Sequence, residues 1–196
     1  MNTKLHAPDE LVTNWQDALQ FLKDGNQRFI DNTNILRSTN EADREATKDS
    51  QKPFAVIVTC SDSRVSPEIY FDQKIGDIFV IRNAGNIADI TALGSLEFAV
   101  EHLGAPLVVV VGHSACGAVK GAISEGEFSG NLDSIIRHIR GVIDGQGKMG
   151  LEQAINENVR ASVKAIQENA VVKKVAAKVL GAHSDVASGE VVFISE

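Results

Sequence analysis

Phe54-Ala55-Val56-Ile57-Val58-Thr59-Cys60-Ser61-Asp62-Ser63-Arg64 sets an apolar run directly against a cysteine, a carboxylate and a guanidinium. Its counterpart is Leu107-Val108-Val109-Val110-Val111-Gly112-His113-Ser114-Ala115-Cys116-Gly117, where a second apolar run ends at a histidine and, three residues on, a cysteine. Short β-branched runs of this kind read as strands, and their unbroken apolarity reads as strands covered on both faces. Each run ends at soft metal ligands. Two thiolates (Cys60 and Cys116, the only cysteines in the chain) and the His113 imidazole suit a mononuclear zinc site, with Asp62 nearby. Three strong ligands are too few for an ordinary closed structural site, and an open fourth position is what lets zinc activate water.

Outward from these runs the pattern alternates. Asn14 to Asn32 reads as an amphipathic helix, with Trp15, Leu19, Phe21, Leu22 and Phe29 on one side and Asp17, Lys23, Asp24 and Arg28 on the other. Asn32 to Gln51 is polar, with a charge cluster from Glu41 to Lys48 that predicts a short exposed helix or a loop. Further strands are expected at Asp77 to Arg82, Val179 to His183 and Val191 to Ile194, the last two as a pair joined through Ser188-Gly189. Helical segments are expected at Pro67 to Phe71, Thr91 to Leu103, Cys116 to Ser124, Leu132 to Ile143 and Leu151 to Lys178, the last broken near Asn169. Strands alternating with helices predict an α/β fold: a central, mostly parallel sheet flanked by helices, with an antiparallel edge strand at the C-terminal end. Residues 1–50 form an N-terminal helical arm that packs on its own domain or on a neighbouring subunit. Residues 51–196 form the zinc-binding catalytic domain.

The bulk numbers exclude several classes. With 196 residues, 43% hydrophobic and 23% charged, the chain suits one globular domain. A net charge of −7 gives no broad footprint for nucleic acid or an anionic membrane. No apolar segment approaches the roughly 20 residues that span a bilayer. The start, Met1-Asn2-Thr3-Lys4-Leu5-His6, lacks the apolar stretch of a signal peptide. A cytoplasmic, reducing location follows as the expectation, where a disulfide between the two cysteines is disfavoured. Reading both cysteines as inert core residues leaves Asp62, Arg64 and His113 unexplained at strand ends.

In open α/β sheets, sites form at the carboxyl ends of strands, where the strand order reverses. Cys60 and His113 occupy such ends, and Cys116 falls on the first turn of the next helix. Asp62 can take the fourth position on a metal or accept a hydrogen bond from water there, but not comfortably both. Arg64 can hold that carboxylate through two parallel hydrogen bonds. As a mere surface ion pair the two would contribute only about 0–1 kcal/mol. His6, His102, His138 and His183 read as surface or helix-end residues.

Cys60-Ser61-Asp62-Ser63-Arg64 with Gly112-His113-Ser114-Ala115-Cys116-Gly117 resembles the β-class carbonic anhydrases. The likeness extends through Phe71-Asp72-Gln73, Gly76-Asp77, Arg82-Asn83-Ala84-Gly85-Asn86 and the stretch from Gly94 to Gly104. It is strong over about Gln51 to Ala122. The resemblance implies one zinc per subunit on Cys60, His113 and Cys116, with Asp62 and Arg64 as catalytic dyad. The implied reaction is that of a carbonate dehydratase, a lyase: reversible hydration of carbon dioxide to bicarbonate and a proton through zinc-bound hydroxide. Hydrolases of carbonyl sulfide or carbon disulfide share these motifs, and a non-enzymatic zinc protein with Asp62 as fourth ligand is the rival of another class.

By the same resemblance the substrate pocket lies near a subunit interface. Gln51 and Phe79 match a pocket glutamine and aromatic, Phe98 stands where a tyrosine is usual, and Ala84 where a valine is common. A homodimer, or a tetramer as a dimer of dimers, is the implied assembly. Part of the family is switched off by bicarbonate in a pocket of tryptophan, arginine and tyrosine. Here Arg82 fits the arginine, but Ile57 and Ser184 stand in the other two places, so no such switch is expected and Asp62 should pair with Arg64.

Overall fold

The computed structural model describes residues 12–34, 41–144 and 149–194. The first apolar run forms β1 (Ala55–Cys60) and the second β3 (Leu107–His113), and every residue of both is buried. β2 (Ile78–Asn83), β4 (Lys178–Ser184) and β5 (Val191–Ile194) complete a five-stranded sheet of order β2-β1-β3-β4-β5. All neighbours are parallel except β4 and β5. This is the mostly parallel α/β sheet with an antiparallel edge expected from the alternation.

Strand period 2 sorts the core into two layers. Ala55, Ile57, Leu107, Val109 and Val111 pack in one apolar cluster, while Val56, Val58, Val108 and Val110 pack in the other. The first layer is covered by α1 (Trp15–Ile30), α5 (Gly117–Ile123) and α6 (Gly130–Ile143). The second is covered by α4 (Ile90–Glu97) and α8 (Ala170–Val175). The long α7 (Leu151–Glu168) contributes to both. Gly112 lets α7 lie close over β3, since a Cβ there would meet Val159 Cγ2 at 2.6 Å.

The remaining helices are short: the exposed α2 (Glu41–Thr47), within the polar segment, and α3 (Pro67–Tyr70). Residues 35–40 of that segment lie outside the described residues. The helix read from Thr91 to Leu103 divides into α4 and a π-helical turn, Phe98–His102. The break near Asn169 occurs as read. Asn169 is extended, and its side chain accepts from Val171 and Val172 N–H, so it ends α7 and caps α8.

The N-terminal helix belongs to the domain core. Ala18 and Leu22 are fully buried, and Asn26 donates to Tyr70 O and Gly189 O and accepts from Val191 N–H. Arg28, assigned to the polar face on periodicity, is buried. Its guanidinium meets Asp72 at 2.5 Å, with only 10% and 6% of the two side chains exposed. The reason is positional: Ala18, Leu22, Gly25 and Phe29 make the inward stripe, and Arg28 flanks it.

Removing one partner of a buried ion pair leaves the other charge desolvated, at a cost of about 3–5 kcal/mol. Arg28→Met should therefore lower the urea midpoint by that equivalent at unchanged slope. The double variant Arg28→Met/Asp72→Asn should recover part of the loss, and equal losses in single and double variants would contradict the pairing.

Candidate metal centre

The order β2-β1-β3 places the topological switch between β1 and β3, and both ligand-bearing strands end there. Val111 lies opposite Thr59, so Cys60 and His113 emerge side by side at the sheet edge. The chain then turns through Ala115 in a left-handed conformation (φ 57°) and brings Cys116 back beneath them. Cys116 is the residue capping α5 rather than part of its first turn. The donor atoms of Cys60, His113 and Cys116 all lie within 4.8 Å of one another, and all three residues are buried.

This donor set fits a metal ion. Tetrahedral ligands about 2.0–2.3 Å from zinc stand roughly 3.5–4 Å apart, close to the spacing here. His113 Nδ1 lies 3.0 Å from the Ser114 carbonyl, an acceptor that fixes the proton on Nδ1 and turns the Nε2 lone pair into the cluster. Nε2 is buried without a hydrogen-bond partner, as a metal-ligating nitrogen would be. Both cysteines are free thiols. Without metal they share charge unequally. Contact with Cys116, then His113 and the Gly85 N–H, holds Cys60 below the ordinary thiol range against the opposing effect of burial. The Cys60 contact and burial push Cys116 up, against the N–H groups of Val119 and Ala118.

Asp62 faces Arg64. Arg64 Nε donates to Oδ1 at 2.9 Å and Nη2 to Oδ2 at 2.6 Å, while the Arg64 backbone N–H reaches Oδ1 at 3.0 Å. The carboxylate stands 4.0 Å from His113 Nε2, beside the cluster with both oxygens engaged elsewhere. Arg82 adds a clamp that sequence reasoning missed. Its guanidinium donates to Cys60 O at 3.1 Å and Asp62 O at 2.8 Å, and so holds the loop from Cys60 to Asp62. Position alone had matched Arg82 to a bicarbonate pocket. Ile57 is buried in the core, and Ser184, also buried, accepts Ser114 N–H at its backbone carbonyl.

The expected pocket residues are less concentrated. Phe79 and Phe98 approach with ring centroids 6.3 Å apart, and Phe98 remains 47% exposed. Ala84 is half-buried in the turn after β2, and Gln51 is exposed in the segment before β1. Of the other histidines, His102 packs at a tilt against Phe98 and His183 meets Asn156 and Glu152; His6 lies outside the described residues.

A family model described as carbonic anhydrase matches residues 55–191, well over half the chain. The chain belongs to the β-class carbonic anhydrase family. A carbonic anhydrase of Mycolicibacterium smegmatis is 42% identical over 153 residues, covering 72% of this chain and 74% of the relative. Among solved structures, the β-carbonic anhydrase of Coccomyxa in complex with acetazolamide superposes with a TM-score of 0.73 at 26% identity, over 89% of this chain and 85% of that one. A β-carbonic anhydrase from Sordaria macrospora, described as tetrameric, gives 0.74 at 24% identity over 92% and 98%. At that identity the likeness speaks for the fold alone.

The Arg64 side chain, its backbone N–H and a smaller contribution from His113 together hold the Asp62 carboxyl well below the usual carboxylate range, against desolvation. A depressed pKa in the folded chain contributes stability above the unfolded value of about 3.9, and that contribution is lost as pH falls below it. In the metal-free protein, Arg64→Gln should move the ¹³Cγ titration midpoint of Asp62 up towards about 4. A midpoint that does not move would show that Arg64 is not the cause.

Proposed function

We propose that the chain catalyses the reversible hydration of carbon dioxide to bicarbonate and a proton, with one zinc per subunit held by Cys60, His113 and Cys116. The observation that carries this reading is the Asp62–Arg64 pair. With both carboxylate oxygens on Arg64, Asp62 does not close the three-residue cluster as a fourth ligand, as a structural zinc site requires. A bound zinc supplies Lewis acidity that makes hydroxide available near neutral pH.

The chain's own residues then orient that nucleophile. Ionised Asp62 is an acceptor only, so with zinc in place it would accept the hydrogen bond of the hydroxide and orient that nucleophile towards carbon dioxide. Arg64 keeps Asp62 ionised and fixed for this task, and Arg82 holds the loop that carries it. His113, locked by Ser114, offers Nε2 and no proton to the metal. The substrate is small, linear and apolar, so Phe79, Phe98 and Ala84 need only exclude water, with the Gln51 amide orienting an oxygen.

In one subunit this pocket is open. Phe98 and Ile90 are exposed, β2 is an edge strand, and a groove of about 380 Å³ runs along it beside Phe79 and the start of α4. These features support a homodimer in which a second copy covers the pocket, and a dimer of dimers beyond it. No helix among the described residues is long and apolar enough to cross a membrane. Two free thiols in a metal-binding arrangement suit the reducing cytoplasm.

Stopped-flow hydration with zinc determined on the same sample tests the reading. The parent should carry one zinc per subunit and hydrate carbon dioxide, and His113→Ala and Cys116→Ser should lose both. Asp62→Asn should keep zinc and lose about 10²-fold or more in kcat/KM. Negligible hydration beside rapid release of sulfide from carbonyl sulfide would replace the substrate, and full activity in a zinc-free variant would overturn the mechanism.

A further inference from the structure

α7 carries two polar side chains on a face that is otherwise apolar and buried. Asn158 and Ser162 are 1% and 3% exposed, among Ala154, Ile155, Val159 and Ile166. Four residues apart, they stand one above the other on the helix. Asn158 Nδ2 donates to Gly85 O at 2.7 Å, and Ser162 Oγ donates to Asn86 O at 3.1 Å. One helix therefore takes two consecutive carbonyls of the turn that follows β2.

That turn is unusual in its backbone. Gly85 and Asn86 both lie in the left-handed region, with φ of 80° and 46°. A Cβ at Gly85 would also crowd Ile139 Cδ1 at 2.7 Å and Ala118 Cβ at 3.2 Å, so both backbone and space favour glycine. Asn83 closes the turn from its other end, accepting Ile87 N–H at 2.9 Å and donating to Ile87 O at 2.8 Å. The outcome is a Gly85 N–H that points at Cys60 Sγ, 3.3 Å away.

We propose that Asn158, supported by Ser162, is a positioning residue for the metal centre. From α7 it fixes the Gly85–Asn86 turn, and through the Gly85 N–H it sets the direction and electron density of the Cys60 thiolate. The inference rests on the zinc reading above and extends it to a helix that contributes no ligand. An N–H donor on a thiolate draws charge from sulfur and restricts the angle at which its lone pair faces a metal. Partners of this kind typically change metal affinity or activity by 10–100-fold when removed. A purely structural Asn158 would satisfy the buried Gly85 carbonyl and leave the thiolate unaffected.

Cobalt(II)-substituted protein separates these roles, because thiolate-to-cobalt charge transfer reads the electron density on sulfur. The parent should show that near-ultraviolet band and hold one zinc per chain in chelator competition; its absence would overturn both the zinc reading and this inference. Asn158→Leu keeps the side-chain shape without the donor. It should weaken zinc binding about tenfold and move the band to longer wavelength. Ser162→Ala should change both in the same direction by a smaller factor, and it carries the test if Asn158→Leu does not fold. Ile166→Ala, buried on the same helix without a polar contact, should lower Tm and leave band and affinity alone. A parent-like band and zinc affinity in folded Asn158→Leu, or in Ser162→Ala where Asn158→Leu does not fold, would overturn the proposal. Equal shifts in Ile166→Ala would overturn it too, by reducing the effect to lost stability.

Discussion

A carboxylate two residues from a metal ligand has two competing partners, the cation and any nearby guanidinium, and the site depends on which one holds it. Here Asp62 belongs to Arg64. The contact is local as well as ionic, because the Arg64 backbone N–H also reaches Oδ1 and turns the segment back on the carboxylate. An exposed ion pair between distant residues contributes little to stability, partly because two long side chains must be ordered. Two residues apart in a tight turn, much of that ordering is already done by the backbone. The pair is therefore better understood as an orienting device than as a brace for the fold.

The orientation would be lost if the loop could move, and contacts from β2 and from the turn after it restrain it. Arg82 on β2 holds the carbonyls of Cys60 and Asp62. Ser61 N–H joins Asn83 O, continuing the β1–β2 ladder beyond the strand ends. The turn after β2 returns to place the Gly85 N–H on Cys60 Sγ. β3 supplies the opposite wall, where Ser114 accepts the His113 ring at its carbonyl and Val186 N–H at its hydroxyl. Cys60 and His113 are thus each held by a backbone group, the Gly85 N–H and the Ser114 carbonyl, which have little freedom to rearrange. Close approach of α7 over Gly112 makes this possible, since it brings a helix within reach of both the ligand-bearing strand and the Gly85 turn.

Much of this was legible in the sequence, for identifiable reasons. β1 and β3 announce themselves because strands buried on both faces carry unbroken apolar runs, and the ligands follow at their ends. Local motifs such as Cys60 to Arg64 are readable because their partners lie within a few residues. What escaped were contacts closed by the topology. Arg28 reads as a polar-face residue until the fold brings Asp72, 44 positions away, against it. Asn158 and Ser162 interrupt an apolar helix face with no local explanation, and their partners lie 73 and 76 positions earlier. Interrupted periodicity at two positions one turn apart was the signal available for them. The π-helical turn at Phe98 leaves helical periodicity nearly intact, which is why Thr91 to Leu103 read as one helix.

That turn bears on the proposed substrate side. A π-helical turn widens the helix and shifts the side chains after it, and such turns recur at functional sites. Here it carries Phe98 and His102 outward from α4 as a tilted ring pair, with Phe98 meeting Phe79 from the free edge of β2. An aromatic left half-exposed beside an edge strand is a liability in an isolated subunit, because both features invite association. In the homodimer proposed above, the same features would form the wall of a dry pocket. The cluster of Cys60, His113 and Cys116 lies within one chain, whereas on that reading the pocket gains its walls only when two chains meet. Folding and assembly would then act on different halves of the site.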